Sequence, residues 1–267
     1  MEKIQYSDIN FGSLEKLKSQ GTKSTIYRDN DKCIKVLDGV YPEEKTQLMR
    51  KFNDMSGISI SNVLLPKELI IKDGMLYGYT MDYFGNSMPL SDRFLVRYFN
   101  CKDLFEYVYK ASNILRNIHD NGIILQDLSF ENILVDDNGN VKYCDLDGCS
   151  YGKHVGPFIS LLLKNFYIDY RKQRMNLNEN LDRISMMISF FMLTYGRSVQ
   201  NLSKKQYHSL SDQIKTLENI REYANMLVNR DCSINNIPYL DELIDLSDDY
   251  LIDRKKQLTL KQRILRK

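Results

Sequence analysis

The stretch at residues 123–148, which reads IILQDLSFENILVDDNGNVKYCDLDG, decides the fold that this sequence predicts. Residues 123–125 and 133–135 are apolar runs of the length of a short strand. Residues 136–140 read DDNGN, and an Asn-Gly pair between apolar runs favours a tight hairpin turn because both residues tolerate a left-handed backbone. The stretch therefore predicts short strands, with polar loops at their ends.

Three oxygen-bearing side chains lie near these strand ends. Asp127 and Asn132 are five positions apart in the loop before residues 133–135, and Asp145 follows the strand expected after the turn. Carboxylate and amide oxygens suit magnesium, which keeps some of its water and is completed by substrate phosphates. The spacing predicts that the three side chains converge. A plain hairpin with carboxylates on its surface is the alternative.

The same residues resemble the catalytic loop and the metal-binding loop of the protein-kinase-like superfamily. The catalytic H-R-D motif and its asparagine have counterparts in residues 125–127 and Asn132, and the D-F-G turn has one in residues 145–147. The resemblance implies that Asp127 accepts the proton of a substrate hydroxyl. It also implies that Asn132 holds one magnesium ion and that Asp145 holds the magnesium ion bridging the phosphates of ATP.

The two loops depart from the family's pattern at several positions. Leu125 replaces the histidine and Gln126 replaces the arginine, so the catalytic loop is a non-RD loop. It lacks the cation that would pair with a phosphorylated activation segment, and we expect no switch of that type. Asp147 stands where the family has glycine, which is expected to stiffen the turn.

The whole chain has the composition of a globular protein. Its 267 residues carry a formal net charge of +2, which gives no reason to expect nucleic acid as a partner. Five scattered cysteines form no C-x-x-C pair and favour a reducing cytoplasm. Residues 1–5 lack the apolar core of an export signal, and residues 184–195 are too short to cross a bilayer, so we expect no membrane insertion.

Residues 14–27 read as strand, turn and strand, and resemble the glycine-rich loop of the family with most of its glycines missing. Gly21 matches the central glycine, and Ser19 and Ser24 match the outer two. Such a loop brings backbone N–H groups close to phosphate oxygens, which glycine permits most easily. A simple turn is the alternative.

Lys35 lies inside an apolar strand predicted at residues 33–37, where the family carries its Val-Ala-Ile-Lys lysine. A buried ammonium needs a partner, although an exposed edge position is the alternative. Pro42 predicts the start of a helix in which Glu44, Leu48 and Phe52 share one face. The resemblance implies that Glu44 pairs with Lys35 and holds it against the α- and β-phosphates. Two solvated acids, Glu43 and Glu44, are the alternative.

Residues 69–71 and 75–81 predict a further hairpin, and residues 82–85 resemble the hinge between the two lobes of the family. The resemblance implies that the carbonyl of Asp82 and the amide of Phe84 bind adenine, with Met81 at the back of the pocket. Three apolar side chains would sandwich the adenine ring: Ile26, Cys33 and Leu134.

Two predicted helices complete the pattern. Apolar residues follow a helical period from residue 104 to residue 118, and His119 at its end is interpreted as a packing residue. Residues 182–196 are apolar nearly all round and resemble the central helix of the family, where the aspartate matching Asp182 braces the catalytic loop. The segment between Asp145 and Asp182 lacks an Ala-Pro-Glu motif. The chain ends in a basic tail, either solvated or docked on an acidic partner.

The resemblance thus implies an α+β, bilobal protein-kinase-like fold. Residues 1–83 would form a small lobe with an antiparallel sheet and one main helix, and residues 84–267 a larger, mainly helical lobe. The implied activity is magnesium-dependent transfer of the ATP γ-phosphate to a protein serine or threonine, as in a bacterial-type kinase. A kinase of small hydroxyl-bearing substrates, of the aminoglycoside or choline type, and a pseudokinase scaffold are the alternatives. Lys35, Asp127, Asn132 and Asp145 would meet around one nucleotide.

Overall fold

The computed structural model describes residues 1–17, 24–156, 178–196, 213–228 and 237–253. Several predicted features lie outside these ranges. They are Ser19 and Gly21 of the glycine-rich loop, most of the segment between Asp145 and Asp182, and the basic tail. Within the described ranges, no helix combines the length and the apolar character needed to span a membrane.

A six-stranded sheet occupies the first third of the chain, with the strand order β1-β5-β6-β4-β3-β2. Its strands are β1 (Glu2–Gln5), β2 (Glu15–Leu17), β3 (Thr25–Asp29), β4 (Lys32–Val36), β5 (Glu68–Lys72) and β6 (Met75–Asp82). All neighbouring strands are antiparallel except β1, which runs parallel to β5. The expectation of a purely antiparallel sheet is therefore wrong, and the sheet is mixed. Ile4 of β1 packs on a small apolar cluster that includes Ile34 and Ile70.

Beyond this sheet the described chain contains α-helices and further strands, and these strands form one three-stranded sheet and two pairs. The helices are α1 (Pro42–Asp54), α2 (Leu90–Arg93), α3 (Cys101–Asp120), α4 (Asn180–Tyr195), α5 (Lys215–Asn219) and α6 (Arg221–Val228). The strands are β7 (Ser87–Pro89), β8 (Tyr98–Asn100), β9 (Ile123–Ile124), β10 (Ile133–Asp136), β11 (Val141–Tyr143), β12 (Ser150–Tyr151) and β13 (Leu251–Asp253). They pair as β11-β10-β7, β12-β9 and β13-β8. The architecture is α+β, which is compatible with a kinase-like fold.

The predicted hairpin after residue 132 is confirmed. Strands β10 and β11 are antiparallel, and Val135 is paired with Val141. The carboxylate of Asp136 accepts hydrogen bonds from the backbone N–H groups of Asn138 (2.9 Å) and Asn140 (2.7 Å). Gly139 has a φ of 78°, the left-handed backbone that the Asn-Gly pair predicted.

The helices that position the site also begin where the sequence predicted or close to it. Helix α1 has Pro42 in its first turn, and α3 is capped by Asn100, whose side chain accepts a hydrogen bond from the N–H of Lys102 (2.9 Å). Helix α4 is buried on almost every side, and the residue that caps its C-terminal end, Gly196, has a φ of 63°. One continuous apolar core joins the sheet to α1, α3 and α4.

Asp182 of α4 is fully buried and braces the loop after β9. Its two carboxylate oxygens accept hydrogen bonds from the backbone N–H groups of Leu125 (2.7 Å) and Gln126 (2.8 Å). His119 at the end of α3 lies with Nε2 3.0 Å from the same carboxylate and Nδ1 2.8 Å from the hydroxyl of Tyr239. The predicted brace is confirmed, and His119 is a packed residue of the same network.

We expect Asp182→Asn to lower the free energy of unfolding by about 2 kcal/mol or more, because an amide donor would face a buried N–H group. Urea unfolding of the purified variant measures this. Asp137→Asn is the matched control, since Asp137 is exposed in the turn between β10 and β11 and the same change should cost less than about 0.5 kcal/mol there. Equal stability of the two variants would contradict the brace.

A second prediction concerns Gly78 of β6, which is paired with Val36 of β4. A Cβ atom at Gly78 would lie 2.3 Å from the backbone oxygen of Lys35. We expect Gly78→Ala to destabilise the protein by roughly 1–3 kcal/mol, because β4 must move to admit the methyl group. Thermal unfolding measures the change, and Gly57→Ala, where no atom lies within 4 Å, serves as the control. Equal losses in both variants would argue against a close strand contact.

Candidate active site

Lys35 of β4 meets the turn that follows β11. Its side chain is only 5% exposed, and Nζ lies 2.7 Å from Oδ1 of Asp145 and 2.8 Å from Oδ2 of Asp147. Residues 110 positions apart in the chain thus form a direct ion pair, which the sequence reasoning did not predict because it paired Lys35 with Glu44. The contact joins the sheet to the loop that carries the predicted metal ligand.

The charge of this lysine is fixed by its neighbours. Burial lowers the pKa of the Lys35 ammonium, but the carboxylates of Asp147 and Asp145 outweigh that effect and hold the pKa well above its ordinary value. Burial and the carboxylate of Asp147 also raise the pKa of Tyr79 well above its ordinary value. The phenol therefore stays protonated at neutral pH and donates a hydrogen bond to Oδ1 of Asp147 (2.6 Å).

The predicted ion pair between Lys35 and Glu44 is wrong. Glu44 lies half-buried in the first turn of α1, and its carboxylate forms no ion pair with any of the residues that the structure describes. Asp147, at the position where the family has glycine, supplies the second carboxylate instead. The helical spacing correctly placed Glu44 on the inward face, but it could not measure the distance from that face to Lys35.

Lys51 of α1 is a residue of the site that the sequence reasoning missed. It is 3% exposed, and its ammonium donates to the backbone carbonyls of Asp147 and Cys149, both at 2.7 Å. A signal was present, because Lys51 follows Glu44 by seven residues and so shares the buried face of Leu48. A lysine on an apolar face needs acceptors, and the carbonyls of the turn provide them.

Asp127 and Asn132 lie beside the same turn. The side-chain amide of Asn132 donates to the backbone carbonyl of Asp127 (3.1 Å), and Cys144 donates its backbone N–H to the carbonyl of Asn132 (3.0 Å). A Cβ atom at Gly148 would lie 3.9 Å from the Cβ of Asp127. The structure therefore brings Asp127, Asn132 and Asp145 together, and Lys35 reaches the group through Asp145.

Two residues of this region have a left-handed backbone although neither is glycine. Gln126 has a φ of 65° and Asp145 a φ of 60°. Such conformations cost of order 1–3 kcal/mol, persist where the surroundings enforce them, and cluster at functional sites. Asp182 and a hydrogen bond from Nε2 to the hydroxyl of Ser150 (2.6 Å) hold Gln126, and Lys35 holds Asp145. Four further non-glycine residues with positive φ lie elsewhere in the described chain, and all four are Asn or Asp, which tolerate this conformation: Asn30, Asn62, Asp73 and Asn86.

The chain returns to this loop after β12. Gly156 donates its backbone N–H to the hydroxyl of Ser150 (2.8 Å). A Cβ atom at Gly156 would lie 1.9 Å from the backbone oxygen of Gly148 and 2.5 Å from Oε1 of Gln126. Only glycine fits this position, so the polypeptide packs backbone against backbone beneath the candidate site.

The residues predicted to surround adenine share one apolar environment. Cys33 and Met81 are paired neighbours on β4 and β6, and both are buried in the main core. Three further predicted residues are half-buried and pack against that core: Ile26, Phe84 and Leu134. Among the residues described, the backbone N–H of Phe84 has no hydrogen-bond partner, which leaves it available to a ligand.

The other predicted nucleotide contacts are polar. Asp82 is exposed at the end of β6 and forms an ion pair with Lys67 at 2.5 Å. Ser24 is half-buried just before β3. Gly21 lies outside the described ranges, so its place relative to the phosphates remains a prediction.

The predicted metal ligands suit magnesium. Asn132 uses its amide nitrogen as a donor, which leaves its oxygen available, and the side chain of Asp145 is 47% exposed. Across the ranges that the structure describes, no three His, Cys, Asp or Glu side chains cluster in a way that could hold a metal ion. Two oxygen ligands fit an ion that takes its remaining ligands from phosphates and water.

The cysteines near the site are unreactive thiols. Burial raises the pKa of Cys33 to about 11 and that of Cys144 to about 12. Both therefore stay protonated at neutral pH, whereas nucleophilic catalysis requires the thiolate. The chemistry available to the site comes from its carboxylates, its amide and its lysine.

Comparison with known proteins found distant, partial relatives. Mouse NUAK family SNF1-like kinase 1 is 32% identical over 117 residues, which cover 43% of this chain and 16% of that protein. Rat NUAK family SNF1-like kinase 2 is 26% identical over 153 residues, which cover 56% of this chain and 23% of that protein. The human form of kinase 1 is 31% identical over 117 residues.

The chain spans less than a quarter of the length of these curated relatives. No protein-family model matches it. The distant homology to protein kinases, together with the contact between Lys35 and Asp145, supports a place for this chain in the protein-kinase-like superfamily.

Proposed function

We propose that the chain transfers the γ-phosphoryl group of ATP, with magnesium, to the hydroxyl of a serine or threonine in a protein. The observation that carries the proposal is the ion pair of Lys35 with Asp145, beside the loop of Asp127 and Asn132. Lysine, two aspartates and asparagine form a set suited to phosphoryl transfer, in which positioning and charge neutralisation supply the rate.

Each residue has a distinct role in this proposal. The ammonium of Lys35 binds the α- and β-phosphates, and the apolar side chains around Cys33 and Met81 receive the adenine ring. Magnesium held by Asn132 and Asp145 would neutralise charge on the phosphate oxygens. Asp127 is exposed at the surface of the loop, where it can orient the acceptor hydroxyl and take its proton.

The nature of the acceptor rests on the relatives and on the sequence. Similarity to proteins named as kinases of the SNF1-like type favours a protein acceptor. The absence of an Ala-Pro-Glu motif between Asp145 and Asp182 favours the second candidate, a kinase of small hydroxyl-bearing molecules. A cytoplasmic location is part of the proposal, because Cys33, Cys101, Cys144 and Cys149 are all free thiols.

We expect Asp127→Asn to lower turnover by roughly 100- to 10,000-fold, the range contributed by a positioned general base. ATP binding should change little, because Asp127 is proposed to contact the acceptor and not the nucleotide. Transfer of labelled phosphate to a panel of generic proteins, and separately to small alcohols and aminoglycosides, measures turnover and identifies the acceptor class. Asp137→Asn is the control for the substitution itself, and undiminished turnover in Asp127→Asn would refute the proposed role.

Nucleotide binding is tested separately, because a pseudokinase scaffold could keep the fold without the chemistry. At 100 times the dissociation constant, ATP with magnesium should stabilise the protein by about 2.7 kcal/mol, which appears as a rise in melting temperature. Lys35→Met should abolish the rise, because the phosphates lose their cation. If ATP and magnesium leave the melting temperature of the wild-type protein unchanged, the pseudokinase scaffold is favoured.

A further inference from the structure

Both oxygens of the Asp147 carboxylate are held by side chains of the sheet. Oδ2 lies 2.8 Å from Nζ of Lys35 on β4, and Oδ1 accepts the hydroxyl of Tyr79 on β6 at 2.6 Å. The side chain is 20% exposed, and the Tyr79 hydroxyl belongs to a residue that is almost completely buried. The sheet thus provides a built site for this carboxylate, with one cation and one neutral donor.

Asp145 is held much less firmly. Its side chain is 47% exposed, and within the described part of the chain its carboxylate has a single partner, Nζ of Lys35. Its backbone also has the left-handed conformation with a φ of 60°. The two carboxylates that share Lys35 therefore differ. Asp147 is largely enclosed and has two side-chain partners, whereas Asp145 faces solvent.

Helix α1 also helps to hold Asp147 in place. Lys51 binds the backbone carbonyls of Asp147 and Cys149, and Phe52 packs edge-on against the ring of Tyr79 with 5.2 Å between the ring centroids. The same helix therefore holds the backbone that carries Asp147 and the phenol that binds it. Glu44, in the first turn of α1, forms no ion pair with these groups in the described part of the chain.

We propose that Asp147 is the permanent counter-ion of Lys35 in this chain, taking the place that the resemblance gave to Glu44, and that it thereby positions the lysine for nucleotide. The inference rests on the proposed function. Lys35 contacts both carboxylates and Lys51 faces only backbone carbonyls, so the more exposed Asp145 is the carboxylate that a divalent cation could reach. Asp145 can exchange Lys35 for the metal, because Asp147 still neutralises the ammonium. Asp147 is a positioning residue, since it acts through Lys35.

The test compares three carboxylate-to-amide changes. In Asp147→Asn, Lys35 must rely on Asp145 alone and so competes with the metal for that carboxylate. The magnesium concentration for half-maximal turnover and the KM for ATP should each rise roughly tenfold, a factor that corresponds to about 1.4 kcal/mol. Glu44→Gln should change both quantities much less than Asp147→Asn does. Asp137→Asn, in the exposed turn after β10, controls for the substitution.

If Asp147 had only a structural role, Asp147→Asn would lower stability without changing the magnesium concentration needed for half-maximal turnover. Asp147→Glu, which keeps the charge, should restore part of the magnesium affinity. Tyr79→Phe keeps the carboxylate and the ring but removes one hydrogen bond, and should raise the magnesium requirement in the same direction by a smaller factor. This variant decides the question if Asp147→Asn does not fold.

Stability in metal-free buffer gives a readout that needs no nucleotide. Asp147→Asn should lower the melting temperature more than Glu44→Gln, because it removes a partner of a buried ammonium. The inference is overturned if Glu44→Gln costs as much as Asp147→Asn in either assay, or if Asp147→Asn and Tyr79→Phe both behave as wild type. Failure of the proposed function looks different: the wild-type protein would show no turnover and no stabilisation by ATP, while the order of melting temperatures would still hold.

Discussion

The ammonium of Lys35 between two carboxylates is the interaction on which the rest of the site depends. A buried charge is tolerated only with partners at close range, so β4 cannot occupy its place in the core unless the turn at residues 145–147 occupies its own. The ion pair thereby ties the sheet to the loops that follow α3. It also sets the charge of the site, because its carboxylates keep the lysine protonated over the physiological range.

Local patterns in the sequence were sufficient to predict much of the fold. The Asn-Gly turn located the β10–β11 hairpin, Pro42 located the start of α1, and the apolar period located α3. These features depend on neighbouring residues, so their physical causes can be read from a short window. The brace formed by Asp182 could also be predicted, because the resemblance to kinases assigned that aspartate to the backbone of the catalytic loop.

Features that depend on distances between remote segments could not be predicted in the same way. Glu44 and Asp147 are both acidic and both lie near the expected position of a lysine partner, and spacing within a helix cannot choose between them. The carbonyl partners of Lys51 lie almost 100 residues away in the chain. Strand β1 pairs in parallel with β5, and its Ile4 packs on the cluster that includes Ile34 and Ile70. The mainly polar sequence of β1 gives little signal for either contact.

The backbone contact at Gly156 has a consequence for how this sequence can change over evolution. The oxygen of Gly148 and the side chain of Gln126 fill the space that any side chain at position 156 would need. Because the first obstacle is a backbone oxygen, a substitution at position 156 is tolerated only if the path of the backbone at residue 148 changes as well. The two loops proposed to act in phosphoryl transfer therefore cannot diverge independently in backbone path, since both border the space at Gly156.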